Sequence, residues 1–290
     1  MLKAKQPELI KPSKPKFMIS GKSGTGKTIF ALNFDKPFYI DAERGATRKQ
    51  YVDKLIASGG AYMGVEEGSQ DFREVISQVR ELATTQHDFK SIVIDSFSNL
   101  YVLEAASAEE RLGSDFGKDK REANKPSRQL MRWLERVDMN VVLVCWQKDK
   151  WSRRERELIM EGSTYEGPPR LDYSLDLWLE TKMVGQKRFA NVVKSRIEGF
   201  PVGTDIELSV EAFKRLYGQA IVEGEVKPIV LATPDQTGEI KRIIDLLKIP
   251  EEDIDKWLTK AQAVELEDLS KDNAAKFLVF LQNKLKGDSK

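Results

Sequence analysis

Short apolar runs alternate along this chain with stretches whose apolar residues recur at helical spacing. Phe17-Met18-Ile19 predicts a strand, Thr28 to Phe34 a helix and Phe38-Tyr39-Ile40 a second strand. Between Ser69 and Thr85, Phe72, Val75, Ile76, Val79 and Leu82 share one helical face. Ile92-Val93-Ile94 and Val141 to Val144 are uninterrupted apolar runs, the pattern of parallel strands covered on both faces. This βαβα succession predicts a doubly wound α/β fold.

The texture changes after Cys145. Gln147 to Pro169 is charged, holds Gly162, Gly167, Pro168 and Pro169, and has no sustained period, so a long loop is expected. Leu175 to Met183 and Arg188 to Arg196 flank Gly185-Gln186 and predict two antiparallel strands extending the sheet. Thr233-Pro234-Asp235-Gln236 has the form of a capping box with proline in the first helical turn, and Ile240, Ile243, Ile244 and Leu247 follow as a stripe. Further helices are expected from Glu251 to Leu258 and from Ser270 to Gly287, the last with Ala274, Phe277, Leu278, Leu281 and Leu285 on one side. The expected organisation is an N-terminal arm over 1–15, a main domain over 16–230 and a three-helix module over 231–290 whose stripes form its own core.

Composition refines this picture slightly. With 40% hydrophobic and 32% charged residues a packed interior is expected and gross disorder is not. A net charge of +1 leaves any attraction to nucleic acid to local patches. The single cysteine, Cys145, excludes a disulfide within the chain and reads as a core residue in a reducing compartment. The first residues lack the apolar segment of a signal peptide, and no apolar run approaches the ~18 residues of a membrane span. A cytoplasmic location without a membrane partner is expected.

The clearest chemistry lies at Gly21-Lys22-Ser23-Gly24-Thr25-Gly26-Lys27-Thr28, which fits G-x-x-x-x-G-K-[ST] between a predicted strand and a predicted helix. Glycines let successive backbone N–H groups turn toward a β-phosphate. Lys27 is expected to reach the β- and γ-phosphates of ATP, and Thr28 to ligate Mg²⁺. Asp95, ending the buried run Ser91-Ile92-Val93-Ile94-Asp95, stands where a second Mg²⁺ ligand is needed. Hydrolysis also needs a group that polarises water. Asp41 and Glu43 both follow Phe38-Tyr39-Ile40, and strand alternation sends both side chains the same way, so spacing does not choose between them.

These residues resemble those of RecA-type recombinases. The segment Phe38-Tyr39-Ile40-Asp41-Ala42-Glu43 is similar to the one that ends in that family's catalytic glutamate, and the resemblance favours Glu43. Gln147, following Cys145-Trp146, resembles the glutamine that senses the γ-phosphate and leads into the second DNA-binding loop. Arg188 to Arg196 is similar to a strand whose basic residues, matched here by Lys194 and Arg196, reach the ATP of a neighbouring subunit. The resemblance spans about residues 16–205. It implies a RecA-like P-loop NTPase: a doubly wound, mostly parallel sheet with an antiparallel extension, ATP and Mg²⁺ as cofactors, and a homo-oligomer with ATP at subunit interfaces. The short helical tail looks like that of small phage-encoded RecA-like proteins, often grouped as phage AAA or nucleotide-binding proteins. These act in recombination and single-strand annealing in a bacterial cytoplasm.

Two basic segments are candidates for single-stranded DNA: one with Lys118, Lys120, Arg121, Lys125, Arg128 and Arg132, the other with Lys148, Lys150, Arg153, Arg154 and Arg156 beside Trp146 and Trp151. Phosphates favour the charges and a tryptophan can stack on an unpaired base, although such charge runs more often mark solvated faces. The expected function is an ATP-hydrolysing, single-stranded-DNA-binding protein, with single-strand-binding protein as a further partner. The alternatives are a P-loop small-molecule kinase and an ATP-dependent adaptor resembling a helicase loader, in which the helical tail acts.

Overall fold

A computed structural model describes residues 13–113, 117–154 and 157–287, with only the backbone described at 118, 119, 153, 154, 157 and 158. The first half of the chain builds β1 (Lys16–Gly21), α1 (Lys27–Leu32), β2 (Pro37–Asp41), α2 (Lys49–Ser58), β3 (Ala61–Met63), α3 (Phe72–Thr84), β4 (Ser91–Asp95), α4 (Phe97–Leu112) and α5 (Lys118–Arg136). Then come β5 (Asn140–Arg154), β6 (Glu157–Tyr165), β7 (Leu177–Val184), β8 (Lys187–Ser195), β9 (Asp205–Glu207), α6 (Val210–Tyr217) and α7 (Gln219–Val222). Three more helices close the chain: α8 (Pro234–Leu247), α9 (Glu251–Lys260) and α10 (Lys271–Gly287).

The strands line up as β3-β2-β4-β5-β1-β7-β8-β9. Pairing is parallel from β3 to β7 and antiparallel for β7 with β8 and β8 with β9. This is the expected α/β fold of a P-loop NTPase with its antiparallel extension. The uninterrupted apolar runs are explained by two separate cores. Ile92, Ile94, Val141, Leu143 and Cys145 face α3, α4 and α5 on one side. Val93, Val142 and Val144, together with Phe17 and Ile19, face α1, α2 and α6 on the other. Each face of the sheet therefore demands apolar residues at alternate positions, and the two demands fill every position.

The segment expected as a long loop is for the most part an extended ribbon. β5 continues past the sheet to Arg154 and pairs antiparallel with β6, with a register shift between Lys150 and Trp151. Cross-strand polar contacts replace burial here: Lys150 pairs with Glu161 at 3.9 Å and the Ser152 hydroxyl donates to the same carboxylate at 2.6 Å. A ribbon with solvent on both sides has no apolar face, so the alternation that marks a half-buried strand is missing. The first basic segment lies on a helix. α5 carries Leu130, Trp133 and Leu134 at helical spacing into the core beneath its charged surface, with Val137 just past its end.

The last three helices have the expected capping box: Thr233 Oγ accepts from the Gln236 N–H at 3.2 Å and Gln236 Oε1 from the Thr233 N–H at 3.0 Å. Ile240, Ile243, Ile244, Leu258, Ala274 and Leu281 share a cluster of their own. The module is held to the main sheet by arginines. Arg132 donates to the Ala263 carbonyl at 2.9 Å, Arg136 to the Asp268 carbonyl at 2.7 Å, and Arg80 pairs with the Asp268 carboxylate at 2.9 Å. The Arg136 guanidinium also lies 4.6 Å from the Trp133 ring. Arg132, grouped by sequence with the basic DNA-binding candidates, is thus committed to an internal contact.

Beneath the first strand, Phe213 of α6 stacks on Phe17 at 4.8 Å between ring centroids and touches Phe34 and Phe200 at 5.4 and 5.1 Å. Removing that ring takes away a fully buried side chain at the support of β1. Phe213→Ala is expected to lower the unfolding free energy by about 3–5 kcal/mol, as read from urea denaturation.

Candidate functional site

Gly21 ends β1 with a φ of 149°, and a Cβ placed there would lie 1.9 Å from Thr181 Oγ1. Only glycine allows β7 to press this closely on the start of the loop. Gly24 and Gly26 continue the curl with φ of 79° and 98°. The Thr25 hydroxyl donates to the Lys22 carbonyl at 2.8 Å and lies 2.6 Å from the Thr181 hydroxyl, so the loop is tied both to itself and to β7. Lys27 Nζ sits inside the curl and donates to the Gly21 and Lys22 carbonyls at 2.8 and 2.9 Å. Burial lowers its pKa, while the negative charges of Asp95 and Glu43 oppose that shift.

Across the mouth of the loop, Thr28 Oγ1 donates to Asp95 Oδ2 at 2.6 Å, and the Tyr39 hydroxyl lies 3.3 Å from the same oxygen. Burial pushes the Asp95 carboxyl up to about 7, the Thr28 hydrogen bond and Lys27 pulling against it and Glu43 adding to it. A buried carboxylate this short of positive charge suits a cation, and the hard oxygens of Thr28 and Asp95 suit Mg²⁺.

The two carboxylates that follow β2 differ in environment. Asp41 is buried and accepts from the backbone N–H groups of Glu43 at 3.1 Å and Ala46 at 2.6 Å, so both its oxygens serve the turn. Glu43 is exposed, lines the cavity and accepts from the Trp146 indole N–H at 2.5 Å. Gln147 lies on the other face of β5 and donates to Glu180 Oε1 at 3.0 Å, an oxygen that also accepts from the Ser163 hydroxyl at 2.6 Å.

The loop, Glu43, Asp95 and Gln147 line a single cavity of about 450 Å³, joined by Trp146, Arg48, Gln50, Tyr51 and Arg188. That volume suits one small organic ligand. Sequence reasoning left all five of the joining residues out of the nucleotide site. Trp146 and Arg188 adjoin or open segments already singled out. Arg48, Gln50 and Tyr51 come from the start of α2, where no pattern marks them.

Lys194 and Arg196 lie elsewhere. Lys194 lies near the end of β8 and Arg196 just past it, beside the first residues of β7, so both are at the opposite end of the strands from the phosphate loop. Lys194 Nζ donates to the carbonyls of Asp172 and Leu175, and Arg196 to that of Tyr173. Burial and the adjacent Arg196 charge lower the Lys194 pKa. Of the DNA-binding candidates, Lys120, Arg121 and Trp151 are exposed, and Lys148 pairs with Glu166 at 3.1 Å. The side chains of Lys118, Arg153 and Arg154, and the whole of Arg156, fall outside the described residues. Cys145 is buried, and burial raises its thiol to about 12, far from a nucleophile's range.

A glycine backbone curled round a buried ammonium, with a hydroxyl and a carboxylate paired at its mouth, fits a nucleotide's phosphates and their Mg²⁺. Carried on a parallel sheet of this order, it defines a nucleotide-binding site of the P-loop NTPase class. Residues 13–197 match the model of a family described as "AAA domain", and the chain belongs to that family. Among solved structures it is similar to the crystal structure of the RadB recombinase, at 16% identity and a TM-score of 0.38, covering 69% of this chain and 90% of that one. A search of curated proteins gives no match. No helix among the described residues is long and apolar enough to cross a membrane.

The close packing at the loop makes Gly21→Ala a stringent test, since the new Cβ must displace β7 or the loop. Lys27→Ala removes the ammonium and leaves the fold's apolar contacts in place. Both variants are expected to lose at least about tenfold in nucleotide affinity, read by titration with a fluorescent ATP analogue.

Proposed function

We propose that this protein is an ATPase that binds single-stranded DNA and acts in phage recombination or single-strand annealing as a homo-oligomer. The observation that carries this reading is the β5–β6 ribbon. It rises directly from the nucleotide cavity, bears Lys148 and Lys150, and exposes Trp151 and Met160. Cations and an exposed indole on a solvated ribbon offer phosphate contacts and a stacking surface for unpaired bases.

In this reading Lys27 holds the β- and γ-phosphates, and Thr28 and Asp95 hold Mg²⁺, which when bound neutralises charge on the phosphate oxygens. Glu43 accepts the proton of the attacking water. Asp41 is unsuited to that task because both its oxygens already accept backbone N–H bonds. Gln147, at the cavity wall and the root of the ribbon, reports the γ-phosphate to the DNA-binding element. Lys194 and Arg196 stand at the far end of the strands from the loop of their own chain, so any nucleotide they touch belongs to a second copy.

Hydrolysis measured with and without single-stranded DNA, with Lys27→Ala as the blank, tests the reading directly. Stimulation is expected. Its absence in a protein that binds ATP would overturn the DNA-dependent function and favour the kinase or adaptor alternatives. Glu43→Gln is expected to retain nucleotide affinity and lose roughly 10²–10⁴ in turnover. The double variant Lys148→Ala/Trp151→Ala is expected to weaken single-stranded DNA binding roughly tenfold or more without changing basal hydrolysis, as read by fluorescence anisotropy of a labelled oligonucleotide.

A further inference from the structure

Trp146 is where the ribbon meets the nucleotide cavity. Its backbone N–H donates to the Ser98 hydroxyl at 2.8 Å, and its carbonyl accepts from the Glu166 N–H at 2.8 Å. The Ser98 hydroxyl donates in turn to the Glu166 carbonyl at 2.5 Å. Both ends of the ribbon are therefore cross-tied at Ser98, in the first turn of the helix that follows Asp95. From this fixed point the indole N–H reaches Glu43 Oε1 at 2.5 Å. Glu43 is exposed, and the indole is the one hydrogen-bond partner found for its carboxylate among the described residues.

A glutamate on the surface samples several rotamers, and a base that wanders is a poor base. A donor on one carboxylate oxygen fixes the group and leaves the other oxygen to accept a proton. We propose that Trp146 is the positioning residue for Glu43, and that single-stranded DNA on the ribbon acts on hydrolysis by setting this indole–carboxylate contact. The inference rests on the proposed function, with Glu43 as the base and single-stranded DNA on the ribbon; loss of stimulation is read only against a wild type that shows it. It makes Trp146 at the root of the ribbon, rather than Trp151 further along it, the link between the two sites.

The test is single-turnover ATP hydrolysis by the full chain carrying Trp146→Phe, which keeps a ring in place and removes the N–H. The rate is expected to fall roughly 10–100-fold, as when a hydrogen-bonded support of a reactive group is removed, with nucleotide affinity held within about twofold. Stimulation by single-stranded DNA is expected to disappear with it. In the Glu43→Gln background Trp146→Phe is expected to add no further loss, because both changes act through one carboxylate. A loss of equal size in both backgrounds would mark Trp146 as merely structural and overturn the proposal, as would an unchanged rate in Trp146→Phe alone. Wild-type turnover in Glu43→Gln alone would instead remove the base assignment on which the proposal stands, an outcome read before Trp146 is altered.

Discussion

The hydrogen bond from Thr28 to Asp95 spans an intervening strand, since β1 and β4 do not pair with each other but each pairs with β5. Strands in a sheet stand about 4.8 Å apart, so the loop must lean across roughly two spacings to bring its threonine to that carboxylate. The lean is fixed by contacts on the loop's other side. Gly21 lets β7 approach to where a side chain would otherwise stand, and the hydroxyls of Thr25 and Thr181 meet at 2.6 Å. The phosphate site is thus braced from β7 and aimed at β4, while β5 passes between with Trp146 and Gln147 at its edge.

The chemistry of the loop and the fold class were legible in the residues because each answers a local demand. The glycine spacing answers backbone conformation, and the apolar runs answer burial on both faces. The choice between Asp41 and Glu43 was not legible from spacing, because alternation sends both the same way. What separates them in the structure is that the turn consumes Asp41, and that depends on where the N–H groups of Glu43 and Ala46 fall. Arg48, Gln50 and Tyr51 at the start of α2 and Arg188 on β8 reach the cavity from two elements far apart in sequence, so their common destination exists only in three dimensions. The ribbon was hidden for a different reason: its stability comes from cross-strand polar pairs, and hydropathy carries no record of those.

β5 spends its first half in the driest part of the molecule and its second half in water. Val141 to Cys145 are buried, and from Trp146 to Ser152 the residues are exposed or half-buried. The boundary between these regimes coincides with the wall of the nucleotide cavity. The same covalent strand is therefore a fixed core element on one side of the site and a solvated arm on the other, with no loop between them to absorb motion.

The arginines that hold the helical module have an asymmetry of their own. Arg132 and Arg136 come from α5 as side chains, but most of what they grasp on the module is backbone: the carbonyls of Ala263, Gln262 and Asp268. A carbonyl is the same in every amino acid. Substitutions at Gln262 and Ala263 can accumulate without cost to these hydrogen bonds as long as the turn keeps its path, whereas a change at either arginine removes the contact outright. This part of the attachment is thus written on one partner only, while the Arg80 pair still requires the carboxylate of Asp268; the module can diverge at the turn and keep its berth as long as that one side chain stays.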